Sequence, residues 1–493
     1  MIRQIEGLRP RARAALFLFL AVVASAACVH HPVAGWNVNT RLNLVFAIVD
    51  MGTFSIDAYH DLEPYATNDK AFYDGRFYCD KIIGVSLLGL PVYAALRGAG
   101  SLVGWFPDYH VAHYAMRLVA VSVPAGIALV LLWKLMLLCG AEPRRALLAC
   151  AFTFWGSMHF GYATLFMPYA PAICLAQGAL LLCVAPGRFT LARAGWCGFL
   201  CGASLLQELL FGPVVLLVGV AFIARCLRRD EAITWPGVAA RVGVGAIAGA
   251  LPLLLFVAYS IHIFDKPVIP YEYEHDEGMR RSMQHGIMGI ERPNPTTLWF
   301  LTVHPFRGLF FWTPVMLCAF AGAAMLAREK GDRLLGWLAL ASGVIYLYIT
   351  MSYYMWWGGW AMGSRHLLPA FAMLPVGLAA LCRDQSRVGW WLVVVLGAVG
   401  VVLSLPVALV DPQVPTGTNL QNIFALRVGD NPPITQFHFW RAFMSLQFFR
   451  DAEKGLRVGL LAGRMGAIVL PALFLALAWR ALPRPARGDG GQR

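Results

Sequence analysis

Residues 36–81 read WNVNTRLNLVFAIVDMGTFSIDAYHDLEPYATNDKAFYDGRFYCDK. On either side the chain is mostly long apolar runs. Inside this stretch stand Asp50, Asp57, Asp61, Glu63, Asp69, Asp74 and Asp80, interleaved with Arg41, Lys70, Arg76, Lys81 and several tyrosines. Ionisable side chains are costly in lipid. A membrane chain that gathers them between its first apolar runs places its polar chemistry there.

Composition sets the class. Of 493 residues, 59% are hydrophobic and 14% charged, with mean hydropathy +0.62. A soluble chain carries roughly a quarter charged residues. The reading is all-α and polytopic, a single transmembrane domain over residues 1–493. The net charge of +13 does not point to nucleic acid, because the basic residues sit in short loops where they set topology. Eleven cysteines lie mostly within apolar runs and form no CxxC pair. Neither a disulfide framework nor a zinc site is expected.

Arg3, Arg9, Arg11 and Arg13 precede an apolar run from about Ala14 to Val29. The same pattern describes a secretory signal, with Ser25-Ala26-Ala27 as a cleavage site. On either reading residue 32 onward begins outside the cytoplasm. Leu42, Val45, Phe46 and Val49 recur at helical spacing, suggesting an amphipathic interfacial helix. The run from Ile82 to Leu96 is short for a span and contains Pro91, so it reads as re-entrant or interfacial. Further runs lie near 113–139, 147–165, 168–185, 236–263, 308–327, 334–352, 366–382, 388–410 and 456–479. The run 195–226 is long for one span and has Gln207-Glu208 and Pro213 near its middle. Read as a hairpin, it leaves every short inner loop basic: Arg144-Arg145, Arg188 with Arg193, Arg225 with Arg228-Arg229, Arg328 to Arg333, and Arg383 with Arg387. The expectation is about twelve membrane segments, cytoplasmic termini, and outer loops at about 32–112, 264–307 and 411–455. On this topology all twelve histidines fall on the outer side or at outer helix ends. No internal repeat is evident, against an inverted-repeat transporter.

Moving a sugar off a lipid phosphate requires a carboxylate to take the acceptor's proton and cations to hold the departing phosphate. Asp57, Asp69 and Asp80 are candidate bases, Lys81 and Arg41 candidate cations, and Tyr73 and Tyr78 candidate ring platforms. The competing reading is that these charges pair to fold a surface loop.

The pattern NTRL…AIVDMGTFSID…TNDKAFYDGRFYCDK resembles the first-loop signature of bacterial C-type glycosyltransferases of the family 39-like group. The matching positions are Arg41, Gly52-Thr53-Phe54, Ile56-Asp57, Thr67, Asp69-Lys70, Gly75, Phe77-Tyr78 and Asp80-Lys81. More distantly it resembles protein O-mannosyltransferases and lipid A aminoarabinose transferases. Tyr78 and Lys81 keep those families' spacing, which implies a donor-phosphate site. Their early acidic pair falls here near Val38-Asn39, which carries no acid, so the resemblance leaves Asp57 or Asp69 as base. The prolines that follow their lysine are Ile82-Ile83 here.

Two later segments extend the resemblance. Residues 304–314, HPFRGLFFWTP, resemble the entry to a middle span; His304 and Arg307 are the implied donor contacts, and Phe310, Phe311 and Trp312 the implied lipid groove. Residues 353–369, YYMWWGGWAMGSRHLLP, resemble a WWGGW motif of the same group and implicate Trp357 and Arg365. An interfacial arginine with an aromatic belt explains either segment without catalysis. Glu272, Glu274, His275, Asp276 and Glu277 form an acidic knot. It offers oxygen ligands to a divalent cation, or is simply a solvated loop; no other cofactor is implied.

The functional expectation is a glycosyltransferase of C-type fold at the outer face of the bacterial inner membrane. Its partners are a polyprenyl-phosphate sugar donor, a glycan, lipid or protein acceptor, and membrane lipids. Asp57 or Asp69 would act as base, while Lys81 and Arg365, with Arg41, Tyr78 and Asp80 nearby, would hold the donor. Two rivals stay open. A transporter or flippase would need ionisable groups within spans, and only Glu208 and Arg464 stand out. A non-catalytic binder of lipid-linked glycan would explain the missing early acids.

Overall fold

The computed structural model describes residues 2–31, 34–227, 234–413 and 463–483. The helices begin with Ile2–Ala27 (α1), Trp36–Met51 (α2), Gly84–Leu102 (α3), Tyr109–Arg117 (α4) and Val123–Leu138 (α5). Pro143–Trp155 (α6), Met158–Ala163 (α7), Tyr169–Val184 (α8), Leu191–Gln207 (α9), Gly212–Cys226 (α10) and Trp235–Phe264 (α11) follow. The second half holds Glu277–Gln284 (α12), Pro295–Thr302 (α13), Leu309–Trp312 (α14), Val315–Leu326 (α15), Arg333–Ser352 (α16), Leu378–Leu381 (α17), Arg387–Val410 (α18) and Gly463–Ala481 (α19). Strands Ala71–Tyr73 (β1) and Arg76–Tyr78 (β2) form an antiparallel hairpin. Its tip, Asp74-Gly75, takes positive φ at both residues, the backbone that a tight hairpin turn demands.

Among the described residues, seven helices are long and apolar enough to cross a membrane, and three shorter apolar helices accompany them. The protein is a multi-pass, all-α membrane protein. Some expected runs take other forms. Residues 366–382 are largely 3-10 helix, Arg365–Ala372 and Leu374–Gly377, with Pro369 and Pro375 inside; a proline has no amide to donate to the helical ladder. The run from Ile82 is longer than expected, because α3 extends to Leu102 and is itself long and apolar enough to span. The expected outer loop 411–455 lies almost wholly outside the described residues.

The hairpin at 195–226 forms as expected. Helices α9 and α10 meet at Glu208, and the far ends come back together: Arg225 donates to the Gly187 carbonyl, and Phe189 and Phe222 rings meet at 5.2 Å. The loops that charge placed on one side also meet. Arg383 pairs with Glu329 and Asp332 at 2.7 Å each, Arg145 donates to the Arg383 carbonyl at 2.5 Å, and Arg144 to that of Leu482 at 2.7 Å.

Helices α9 and α11 are in backbone contact. A Cβ on Gly198 would lie 1.9 Å from the Gly245 carbonyl oxygen, and one on Gly202 1.9 Å from that of Gly249. Each glycine pair is spaced i, i+4, the small-residue stripe that lets membrane helices touch.

Helix α2 departs from the amphipathic reading. Val38 through Ala47 are all buried, polar residues included. Its amides serve as clamps: Asn39 Nδ2 donates to the Pro64 and Ala66 carbonyls at 3.0 and 2.9 Å, and Asn43 Nδ2 to that of Tyr65 at 2.9 Å. The loop between α2 and α3 is thereby folded onto α2.

Candidate active site

The clamp on residues 64–66 brings the turn Thr67-Asn68-Asp69-Lys70 against the start of α2. Thr67 Oγ1 donates to the Trp36 carbonyl at 3.0 Å and accepts from the Asp69 amide at 3.1 Å. The β-hairpin then returns the chain so that Asp80 and Lys81 arrive beside Asp69. Lys81 Nζ lies 3.0 Å from Asp69 Oδ2, also contacts Asp80, and sits 4.8 Å from the centre of the Tyr271 ring. Asn37 Nδ2 donates to Asp69 Oδ2 at 3.3 Å. Arg41, one helical turn on from Asn37, donates to the Asn37 carbonyl at 2.7 Å and to its side-chain oxygen. Across the gap, Glu208 at the hairpin tip lies 3.6 Å from Arg41 Nη2.

Trp36, Asn37, Arg41, Asp69, Lys81, Glu208 and Tyr271 line a cavity of 670 Å³ with Tyr169, Glu274, Arg365 and His366. One part of its wall is charged. Much of the rest is apolar: Leu209, Leu210 and Pro213 from the hairpin tip, Met279, Met283, Ile287 and Ile290 from the loop between α11 and α13, and Ile349 from α16. A smaller recess of 400 Å³, lined by Asn68 and His275 to Glu277, shares Trp36, Asp69 and Met279 with it. Asp69 therefore stands where the two spaces meet.

The electrostatics are those of buried, mutually dependent charges. Burial alone would pull Lys81 down; Asp69 and Asp80 instead hold its ammonium well above the usual lysine range. Burial works against an ionised Asp69, but Lys81, Arg365 and Arg41 keep its carboxyl below the usual range. Glu274 goes the other way. Burial and the neighbouring Asp80 both push it up, well above the usual carboxylate range, which favours its neutral form.

Of the residues singled out in sequence, Arg41, Asp69, Lys81 and Arg365 meet at this cavity, with Asp80 directly behind Lys81. The others are elsewhere. Asp57 is exposed on the flank of the hairpin, accepting from the Phe77 amide at 2.8 Å and from Ser55 Oγ at 2.6 Å. Tyr78 packs edge-on to Phe264 at 6.0 Å. His304 Nδ1 accepts from the Phe306 amide at 3.0 Å, and its ring lies 4.5 Å from that of Phe300. Arg307 is fully buried and spends its donors on the carbonyls of Phe306, Trp357, Gly359 and Ala361. It staples the WWGGW segment that leads to Arg365. Trp357 packs edge-on to Trp356 at 6.0 Å. None of these five lines the cavity, nor do Phe310, Phe311 and Trp312. The acidic knot is dispersed. Glu272 pairs with Lys266 at 2.8 Å, Glu277 with Arg281, and Asp276 caps α12 by accepting from Met279 at 2.8 Å. Among the described residues no group of three or more candidate ligands is placed to hold a metal ion.

Sequence reading did not single out Asn37, Tyr169, Tyr271 or His366, and noticed Glu208 and Glu274 without placing them. Glu208 carried a signal, an acid at the break of an apolar run. The tyrosines carried none beyond the general aromatic content.

No known family model matches the chain, and no curated protein matches it by sequence. Solved structures do match. The chain is similar to ArnT from Cupriavidus metallidurans in the apo state, with TM-score 0.51 and 15% identity over 95% of this chain and 76% of that one. It is likewise similar to the same protein bound to undecaprenyl phosphate, with TM-score 0.50 and 14% identity over 96% and 76% of the two chains. At this identity the likeness establishes a shared fold, the one that the first-loop motifs implied.

Proposed function

We propose that this protein transfers a sugar from a polyprenyl-phosphate donor to an acceptor hydroxyl at the outer face of the bacterial inner membrane, with both termini cytoplasmic. The observation that carries this is one cavity in which a wall of apolar side chains adjoins Arg41, Lys81 and Arg365, with a carboxylate at the mouth of a second recess. A lipid phosphate has that same division between apolar chain and anionic head. A structural neighbour bound to undecaprenyl phosphate supports this donor class.

The proposed chemistry is a single displacement. The donor phosphate draws Lys81 toward itself and loosens its contact with Asp69. Losing that partner makes Asp69 a stronger base when the donor is present. Asp69 takes the proton of an acceptor hydroxyl entering from the smaller recess. The acceptor oxygen bonds to the anomeric carbon as the bond from that carbon to the phosphate oxygen breaks. The electron pair leaves on polyprenyl phosphate, whose new charge Lys81, Arg41 and Arg365 stabilise. Asp57 has no part in this scheme.

The test is to offer purified protein a panel of polyprenyl-phosphate sugars, with glycan, lipid and protein acceptors, and to follow free polyprenyl phosphate. Release that is lost in Lys81→Ala supports the transferase and identifies the sugar. Donor binding without release from any combination would refute it in favour of a flippase or a glycan-binding protein.

A further inference from the structure

Asp80 and Glu274 are both fully buried, at 0% exposure. Asp80 follows β2, and Glu274 is held beside the same hairpin by the bridge between Ala71 and Glu274. One oxygen of Asp80 is taken by Lys81, and one oxygen of Glu274 accepts weakly from the Asp276 amide at 3.5 Å. The remaining two, Asp80 Oδ1 and Glu274 Oε2, have no donor. A buried carboxylate oxygen without a donor is costly, and two such oxygens on neighbouring acids share a remedy.

We propose that Asp80 and Glu274 share one proton, with Glu274 as the neutral partner, and that this pair positions Lys81 without adding negative charge beside the donor phosphate. One proton between Oε2 and Oδ1 satisfies both orphaned oxygens. The surrounding groups favour it. From the first loop Asp69, Cys79 and Lys81 face the pair; from α2, Arg41; from the hairpin tip, Glu208; from α11, Tyr259; from the second loop, Tyr271; beyond α16, Tyr353, Tyr354 and Arg365. Among these groups Arg41, Lys81 and Arg365 are then balanced by Asp69, Asp80 and Glu208, with Glu63 and Asp411 as further carboxyls on the same cavity wall. An ionised Glu274 would add one more negative charge before an anionic donor arrived. Burial and Asp80 both raise Glu274, in the same direction. The consequence for the donor rests on the transferase reading; the shared proton does not.

The test is therefore read without donor. Infrared difference spectra in H₂O and D₂O are expected to show the C=O band of a buried protonated carboxyl near neutral pH. The band should vanish in Glu274→Gln and persist in Asp69→Asn, whose wild-type carboxyl is ionised. Glu274→Gln should fold, since its amide donates to Asp80 as the proton does, and should lose the fall in Tm expected of the wild type as pH rises from 7 to 10. Absence of the band overturns the proposal, as does its persistence in Glu274→Gln. So does a tightly bound metal ion that satisfies both carboxylates. Failure of every donor in the transfer assay would leave these spectra unchanged, so the two proposals fail separately.

Discussion

Replacing Asp69 with asparagine is expected to separate donor binding from chemistry. Asp69 Oδ2 lies 3.0 Å from Lys81 Nζ. At an effective dielectric of about 20 that contact amounts to roughly 5 kcal/mol of gross attraction. A donor phosphate must compete with it for the same ammonium. Asparagine keeps the shape of the side chain and removes the competing charge. Asp80 still holds Lys81 from the other side, so only part of the attraction is released to the donor. Donor Kd is expected to tighten by up to about tenfold, or about 1.4 kcal/mol. Turnover should fall about 10²–10⁴-fold, the usual contribution of a general base. Polyprenyl-phosphate binding to detergent-solubilised protein gives the first quantity, and release of polyprenyl phosphate under single-turnover conditions the second. Turnover within twofold of wild type would refute Asp69 as base. Loss of binding together with turnover would make it a folding residue instead.

Three further outcomes follow from the geometry. Arg307→Ala strips donors from the carbonyls of Trp357, Gly359 and Ala361 in the 353–369 segment and from that of Phe306, and should lower stability by about 3–5 kcal/mol in thermal unfolding; an unchanged Tm would contradict the stapling role. Gly202→Ala puts a Cβ 1.9 Å from the Gly249 carbonyl and should cost about 2–3 kcal/mol as α9 and α11 separate, whereas Gly219→Ala, with nothing within 4 Å, should stabilise by about 0.5–1 kcal/mol; equal effects would refute the close packing. Asp411 at the cavity wall is raised by burial from 3.8 to about 6, despite hydrogen bonds from Gln413. An acid whose folded pKa is raised stabilises fully below its unfolded value and loses that contribution as pH climbs through the folded one. Asp411→Asn should therefore match wild type near pH 3 and be more stable at pH 7 by about 1–2 kcal/mol after allowing for partial exposure; a gap that does not grow between those pH values would refute it.

Much of the site was legible because its residues are close in sequence. Asp69, Asp80 and Lys81 sit in one short loop, and the first-loop motif marks them together. Asp57 lies in the same motif and looked equivalent; it differs because the hairpin amide of Phe77 claims its carboxylate on the outer flank. Arg307 and Arg365 also looked alike, each a basic residue in an aromatic motif. The fold gives Arg307 to backbone carbonyls and turns Arg365 to the cavity. The glycine stripes of α9 and α11 were not singled out in the sequence, because spacing gains its meaning only once the two helices face each other, with no room for a Cβ at Gly198 or Gly202.

The amino-acid sequence by itself determined that the chain is a helical membrane protein, and which short loops gather at one end. It also showed that charged residues gather in the loop at 36–81. These follow from local quantities: apolar run length against bilayer thickness and the bias of basic residues in loops. Tertiary structure decided which acids and which cations face the cavity, and that Glu208 and Glu274 join its wall from distant chain positions. The physical reason is that charge state and pairing depend on burial and on neighbours brought together by folding. Spacing along the chain carries neither.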